Sequence, residues 1–366
     1  MQITITREDL LKPLGYVAGV VERRQTLPVL SYVLLRQKDG EMTLTGTDLE
    51  IEVIAKVSKA GGGSAEMTLP ARKLFDICRA LPNDAEITIK KEGEKSIVKS
   101  GKSRFALVTV PVADFPSVQA SQWEQALTLK QNQLRGLLEQ THFCMAQQDV
   151  RYYLNGLLLE VSENKIRGVA TDGHRMAISE SSLEKSVKIE KQVIVPRKGV
   201  QEMLRLLSDT DDQIELEFGT NHIRARAADF IFTSKLIDGR YPDYNKVIPG
   251  KQSKKLKLDR NLFRETLGRV AILSSEKYRG VRLSLSNKTL RFTAHNPEQE
   301  EAQEEISADY TGEGLEIGFN VNYMIEAISA LHTESIEFGL NDPNSSCTLA
   351  SPEMPYPQYV IMPMRL

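Results

Sequence analysis

The feature that most limits how this chain can fold is that it repeats itself. Gly46-Thr47-Asp48, Ala170-Thr171-Asp172 and Ala294-His295-Asn296 each end a strand-turn-strand stretch, and their last residues stand at 48, 172 and 296, 124 positions apart each time. A second marker agrees. The apolar stripe Phe75, Cys78, Leu81 is matched by Val200, Met203, Leu206 and by Ile325, Ile328, Leu331, with a step of 125 between 81, 206 and 331. Two independent markers at nearly one period predict a tandem architecture, because similar segments must fold alike. The 366 residues then divide into three related domains, expected at 1–122, 123–252 and 253–366, with polar joints near 121–124 and 250–253.

Each repeat divides again. A short strand and an amphipathic helix open it: Ile3-Thr4-Ile5 then 9–20, Leu127-Thr128-Leu129 then 132–142, Leu256-Lys257-Leu258 then 261–272. Alternating stretches such as Met42-Thr43-Leu44-Thr45 follow, with every second side chain free to face a core. A strand ending near Pro70, Pro196 or Val321 leads into the helix that carries the stripe, and further alternating strands close the unit. The expectation is an α+β layered fold: three domains, each two sheet-and-helix units, with helices on one face of antiparallel strands.

Composition narrows the function. Lys plus Arg number 47 against 49 Asp plus Glu, a net charge of −2, so the chain does not grip nucleic acid through overall charge, though local basic surfaces remain open. No apolar run approaches the ~20 residues of a membrane span. The start, Met-Gln-Ile-Thr-Ile-Thr, lacks the basic and apolar regions of a secretory signal, and Cys78, Cys144 and Cys347 are odd in number and far apart. A reducing cytoplasm is the expected location.

Signatures of catalysis fail one by one. His142, His174, His222, His295 and His332 have no metal-site spacing, and no Cys-x-x-Cys occurs. Gly61-Gly62-Gly63-Ser64 lacks the Lys-Ser/Thr of a phosphate loop, and there is no G-x-S-x-G elbow. Asp172-Gly173-His174 is the one cluster that resembles acid–base chemistry. Asp-Gly is first a turn signal, however, and the same place recurs at Asp48 without a histidine. No catalytic residue, metal or cofactor is expected.

Charge is distributed unevenly. Arg72, Lys73 and Arg79 flank the first stripe, Arg197, Lys198 and Arg205 the second, and Arg260, Arg264 and Arg269 share one side of another helix. The last helix, 322–331, has no Lys or Arg and carries Glu326. Glu298, Glu300, Glu301, Glu304, Glu305 and Asp309 cluster elsewhere; with Lys102 and Arg104 beside Phe105 and Leu107 they make two halves of a charge-complementary contact. The loop Gln147-Gln148-Asp149-Val150-Arg151-Tyr152-Tyr153 mixes amides, a guanidinium and two rings suited to phosphates and bases. At the C-terminus, 359–362 suits an edge strand, while Met362, Met364 and Leu366 suit the wall of an apolar groove, since Met adapts to varied ligands.

The motifs Thr47-Asp48-Leu49-Glu50, Gln148-Asp149-Val150-Arg151-Tyr152-Tyr153-Leu154-Asn155-Gly156, Ala170-Thr171-Asp172-Gly173-His174-Arg175 and Val195-Pro196-Arg197-Lys198-Gly199 together point to a family. So do Asp229-Phe230-Ile231-Phe232-Thr233-Ser234-Lys235, Asn296-Pro297-Glu298-Gln299-Glu300-Glu301-Ala302 and the terminal Met362-Pro363-Met364-Arg365-Leu366. Over its whole length the chain resembles the bacterial DNA polymerase III β subunits, the sliding clamps. The resemblance implies a head-to-tail homodimer closed into a six-domain ring around duplex DNA, helices inside and sheets outside. Such a ring is a non-catalytic processivity factor that tethers the replicative polymerase.

The resemblance also implies residues. The subunit contact would bring Lys73, Ile77, Arg104, Phe105 and Leu107 against Ile272, Leu273, Glu298, Glu300 and Glu304 of a second copy. A cleft for short linear motifs of polymerases, the clamp loader and mismatch-repair proteins would be lined by Leu154, Thr171, Gly173, His174, Arg175, Met176, Pro242, Val247, Tyr278, Asn320, Tyr323, Val360, Met362, Pro363 and Met364. Candidates for DNA contact are Arg24, Arg72, Lys73, Arg79, Gln148, Tyr152, Tyr153, Arg197, Lys198 and Arg205. Sliding requires contacts that ignore sequence, and phosphate contacts do; a bidentate base contact, at about 1–3 kcal/mol of discrimination, would stall it. Two other readings compete: a hydrolase or transferase using Asp172 and His174, and a monomeric scaffold whose basic helices bind anionic partners.

Overall fold

The structure, a computed structural model, describes residues 2–21, 27–57, 61–116 and 122–365. Arg24 and Leu366 lie outside the described residues. Six α-helices carry the repeat: α1 (Arg7–Val20), α2 (Ala71–Ala80), α3 (Gln131–Glu139), α4 (Arg197–Leu206), α5 (Arg260–Val270) and α6 (Val321–Ser329). Each begins on the residue after a strand ends, those strands being Gln2–Thr6, Ala65–Pro70, Trp123–Lys130, Lys191–Pro196, Lys254–Asp259 and Leu315–Asn320. The strand-to-helix step is therefore made six times without a loop, as the halved repeat predicts.

Where the step is that tight, the last strand residue often caps the helix. Thr6 accepts from Asp9 N–H, Asp259 from Leu262 N–H at 2.8 Å, and Asn320 from the N–H groups of Asn322 and Tyr323. The first helical residue works at the other end of its neighbour. Arg7 donates to the carbonyls of Cys78 and Arg79 at the end of α2, and Arg260 donates to Leu331 just past α6. A cation there satisfies carbonyls with no helical partner and complements the helix dipole. The apolar stripes bury as expected for Val200, Met203 and Leu206. In α2 the face has turned by one position: Leu74 and Cys78 are buried while Phe75 is half-buried.

Two compact units result, Met1–Leu134 with Lys198–Leu236, and Arg135–Arg197 with Ile237–Leu366. The division cuts through the middle repeat, because the sheets do not respect repeats. In the first unit an eight-stranded antiparallel sheet runs in the order Trp123–Lys130, Gln213–Gly219, His222–Arg226, Phe230–Lys235, Ile51–Val57, Glu41–Thr47, Tyr32–Lys38, Ala65–Pro70. Its join is the pairing of Phe230–Lys235 with Ile51–Val57, register Phe230↔Ala55 to Ser234↔Ile51. Lys12 Nζ and Tyr16 Oη both bond Asp229 beside this join, at 2.8 and 2.9 Å.

The second unit repeats the device. Its eight-stranded sheet runs Lys191–Pro196, Gly156–Ser162, Lys165–Thr171, Arg175–Ser182, Gln358–Ile361, Cys347–Ala350, Ser335–Leu340, Lys254–Asp259. Here Arg175–Ser182 joins Gln358–Ile361, register Arg175↔Ile361 to Ile178↔Gln358. The C-terminal strand is thus interior, paired on both sides, rather than the edge strand its sequence suggests. Each unit also holds a sheet that stops short. In the first it ends on Ser103–Val108, and in the second on Glu301–Ser307.

Candidate functional site

The repeated signature folds into one kind of turn. Thr171 Oγ1 donates to Arg175 O at 2.6 Å and accepts from Gly173 N–H, while Asp172 Oδ1 accepts from the N–H groups of His174 and Arg175 at 2.9 and 3.0 Å. At the first repeat Thr47 Oγ1 donates to Ile51 O at 2.8 Å and accepts from Leu49 N–H, and Asp48 Oδ1 accepts from Glu50 and Ile51 N–H at 2.9 and 2.7 Å. The middle residue is left-handed in both, φ +88° at Gly173 and +78° at Leu49. Asp172 and Asp48 therefore spend their oxygens holding a turn. Asp172 Oδ2 is also engaged, by Arg175 Nε at 3.0 Å, so this carboxylate is committed to the turn and to its arginine. The third signature differs by a residue: Asn296 N–H bonds Glu300 O, and its amide bonds the Glu300 carboxylate.

Around Thr171–Arg175 the second unit gathers most of the cleft expected from sequence. The turn aligns the strand Arg175–Ser182, whose Met176 and Ile178 join Leu154, Leu158, Val169, Ile194, Tyr241, Tyr244 and Val360 in one buried cluster. Tyr241 Oη accepts from Thr171 N–H at 3.1 Å, tying the floor to the turn, and burial pushes that phenol up. Pro242, Val247 (46% exposed), Met362 (43%) and Tyr278 (58%) stand open at the surface although apolar, as a docking wall requires. The tail is held rather than frayed: Met362 N–H donates to His174 O at 2.9 Å and Met364 N–H to Gly318 O at 2.8 Å.

Arg175 is the hub. Its side chain is 10% exposed; it bonds Asp172, Phe143 O at 2.7 Å and Glu326, and lies 4.3 Å from the Tyr323 ring centroid. The Glu326 noted in sequence as the odd acid of the last helix is thus its ion-pair partner. Beside the turn, Arg151 chelates Asp149 at 2.8 and 3.0 Å and reaches Asp172 O. Its hydrogen bonds hold the Asp149 carboxyl down at about 2.

Sequence reading missed a second brace. Arg167 donates to Tyr244 Oη at 2.9 Å, to Glu180 at 2.6 Å and to Tyr356 Oη at 3.3 Å, and Tyr244 in turn bonds Glu160. Burial first, then the bond to Glu160, pushes the Tyr244 phenol up to about 12. The available signal was the alternation of Glu160, Arg167 and Glu180 on three neighbouring strands, but only the pairing puts them side by side.

The DNA candidates behave differently from one another. Lys73 and Arg79 are exposed. Arg72 donates to Val21 O at 3.1 Å, Arg197 to Met145 O at 2.9 Å and Arg205 to Gly15 O at 2.7 Å, and Lys198 pairs with Asp48. Arg205 lies so close to α1 that a Cβ at Gly19 would sit 2.1 Å from its guanidinium, and a larger residue there would make that side chain move. Gln148 and Tyr152 are exposed, whereas Tyr153 packs against the cleft cluster. Arg24 is outside the described residues.

The subunit candidates collect at the two short sheets. Arg104, Phe105 and Leu107 are on Ser103–Val108, with Val108 55% exposed beside them. Lys73 and Ile77 are on α2. On the other edge, Glu304 lies in Glu301–Ser307 and Glu298 and Glu300 precede it; Ile272, 76% exposed, and Leu273 follow α5. Within the chain Glu304 is already chelated by Arg269 at 2.7 and 2.8 Å, which lowers its pKa.

Comparison with known proteins agrees with this geometry. Models of the DNA polymerase III beta subunit match here as its N-terminal domain over residues 1–119, its central domain over 128–243 and its C-terminal domain over 245–365. The beta sliding clamp of Pseudomonas putida is 52% identical and that of Escherichia coli K12 48% identical, each alignment covering all of both chains. Among solved structures, the Pseudomonas aeruginosa sliding clamp bound to griselimycin is 51% identical with a TM-score of 0.96, and the Caulobacter crescentus pol III beta is 37% identical with a TM-score of 0.93, again with full coverage.

Proposed function

The chain belongs to the DNA polymerase III beta subunit family and is a DNA sliding clamp, a processivity factor without catalysis of its own, and we propose that it works as a closed ring of two copies threaded by duplex DNA. The observation that carries this reading is the pair of unfinished sheets. Inside the chain, each eight-stranded sheet arises by pairing the edge of one repeat with the edge of the next. Among the strands that end the sheets are Ser103–Val108 in the first unit and Glu301–Ser307 in the second. The first offers Arg104 with Phe105 and the half-open Val108; the second offers Glu301 and Glu305, with Ile272 bare nearby. An exposed strand edge is a template for pairing, and opposite charges select the partner.

A head-to-tail contact of this kind either closes or propagates, and closure after two copies makes a ring in which the domains 1–122, 123–252 and 253–366 each occur twice. Retention then comes from topology, so exposed cations such as Lys73 and Arg79 need only meet phosphates transiently. The cleft around Thr171–Arg175, Met362 and Met364 takes apolar anchors of short segments from polymerase, clamp loader and repair proteins. A bacterial replication clamp of this kind operates in the cytoplasm, and no helix among the described residues is long and apolar enough to cross a membrane.

The test is loading onto a nicked circle followed by linearisation. A threaded ring slides off the free ends, while a binder held by affinity stays. Ile272→Glu and Phe105→Asp should each shift the sedimenting species from dimer to monomer and abolish retention on the circle; each forfeits roughly 1.5–3 kcal/mol of apolar burial per contact, twice over in a ring. A wild-type chain that sediments as a monomer at micromolar concentration refutes the ring.

A further inference from the structure

The second unit contains a cavity of about 350 Å³ that shares Tyr278 and Met364 with the expected cleft and is otherwise lined by residues outside it. Its floor is the face of the four-stranded sheet presented by Gly280 and Arg282 on one strand and Thr293 and His295 on the next. Tyr278 and Met364 wall it on one side, and Arg365 stands at its mouth. The walls are mainly apolar and the volume lies within the ~300–1,000 Å³ of small-ligand sites. The wall at Met364 is a built one, since its N–H is bonded to Gly318 O at 2.8 Å. His295, which in the repeat stands where Thr47 and Thr171 shape a turn, points instead into this space.

Two features indicate what would fill it. The first is continuity: Tyr278 and Met364 belong both to this cavity and to the set expected to line the partner cleft. A segment seated against those two side chains therefore borders the cavity as well. The second is charge. Arg282 and Arg365 line it, and the Lys277 ammonium rests 5.0 Å from the centre of the Tyr278 ring. Glu316, 3.6 Å from Arg282, offsets part of that charge, while Arg365 has no ion pair among the described residues.

We propose that this cavity is an auxiliary subsite that takes an extension of the partner's linear segment, an apolar side chain next to a carboxylate. It rests on the cleft reading, and it adds a specificity element to it: partners bearing an acidic, apolar flank would outcompete partners bearing the short apolar motif alone. A neutral apolar flank gains less, because Arg365 is then left without a counter-charge.

Fluorescence anisotropy with two synthetic peptides tests this on the intact protein. One is a short apolar motif; the other carries in addition a Gly-linked Asp-Phe pair, made with the pair at either end. With wild type, one of the extended peptides should bind about tenfold more tightly than the short one. Thr293→Trp, which fills the cavity, should erase that gain while leaving the short peptide unaffected, and Asn-Phe should keep only a few-fold of it. An extension that adds nothing, or adds as much to Thr293→Trp, overturns the proposal. Because the short peptide could fail for reasons of its own, N-acetyl-Asp-Phe-amide is titrated separately by ligand-observed NMR. Binding that Thr293→Trp and Arg365→Glu both weaken supports the subsite even if the cleft reading falls; no such binding sinks the subsite even if the cleft reading stands.

Discussion

The turns Thr47–Ile51 and Thr171–Arg175 are built alike and used differently. Both rest on a Thr that bonds the fifth residue and an Asp that caps two backbone N–H groups, around a left-handed middle residue. In the first, Asp48 ends against Lys198 and the turn serves packing. In the second, Asp172 ends against Arg175, and Arg175 reaches on to Phe143, Tyr323 and Glu326. Among the differences between the copied turns, Ile51 against Arg175 is the one that separates a structural corner from the edge of the proposed cleft. Duplicated scaffolds diverge in this way because the backbone hydrogen bonds fix the fold and leave the remaining side chain free.

The largest effect should come from removing the capping acid. Asp172→Ala and Asp48→Ala each strand two N–H groups and a cation, at about 3 kcal/mol in urea unfolding. Only Asp172→Ala should weaken binding of a short apolar peptide, by tenfold or more; equal losses in both variants would dissolve the distinction. Next is Arg167→Met, which frees Tyr244 and Tyr356 beside the same buried cluster. It should cost about 1–3 kcal/mol and lower peptide affinity severalfold, with no change in dimerisation by sedimentation.

The middle residues make a finer comparison. Gly173→Ala should destabilise by about 1 kcal/mol, because φ is +88° and the new Cβ would stand 2.9 Å from the Arg151 guanidinium. Leu49→Gly, at φ +78°, should stabilise by up to about 1 kcal/mol. The smallest effect is electrostatic. Hydrogen bonds from Arg151 lower the Asp149 carboxyl from 3.8 to about 2. Its support of the second turn is therefore complete above pH 3.8 and lost as pH falls through about 2. Carboxyl-carbon NMR on Arg151→Met should move that titration back toward 3.8, and the first turn, which lacks such a pair, should not respond.

Much of this was readable in the chain. The period of 124, the two strand–helix steps per repeat and the Thr-Asp corners all depend on residues close in sequence, and local hydrogen bonds realise them. Leu154, Met176 and Val360, expected in the cleft, share a buried cluster, but their meeting with Tyr241 and Tyr244 was not legible, since Tyr241 reaches the turn from 70 residues away. The basic helix faces carry less information than the motifs do. A pattern tells which side of a helix lacks apolar residues, but it cannot tell that Arg205 would find carbonyls in α1 about 190 residues earlier.

Sequence by itself determined the threefold repetition, the sheet-and-helix halves and the family, because periodicity and short motifs are local properties that survive whatever the chain packs against. Tertiary structure alone decided that the sheets run through the repeats, that Gln358–Ile361 is an inner strand, and that Ser103–Val108 and Glu301–Ser307 end their sheets. Strand pairing is chosen by whichever edge folding brings alongside, and the backbone groups that make it are the same for every residue.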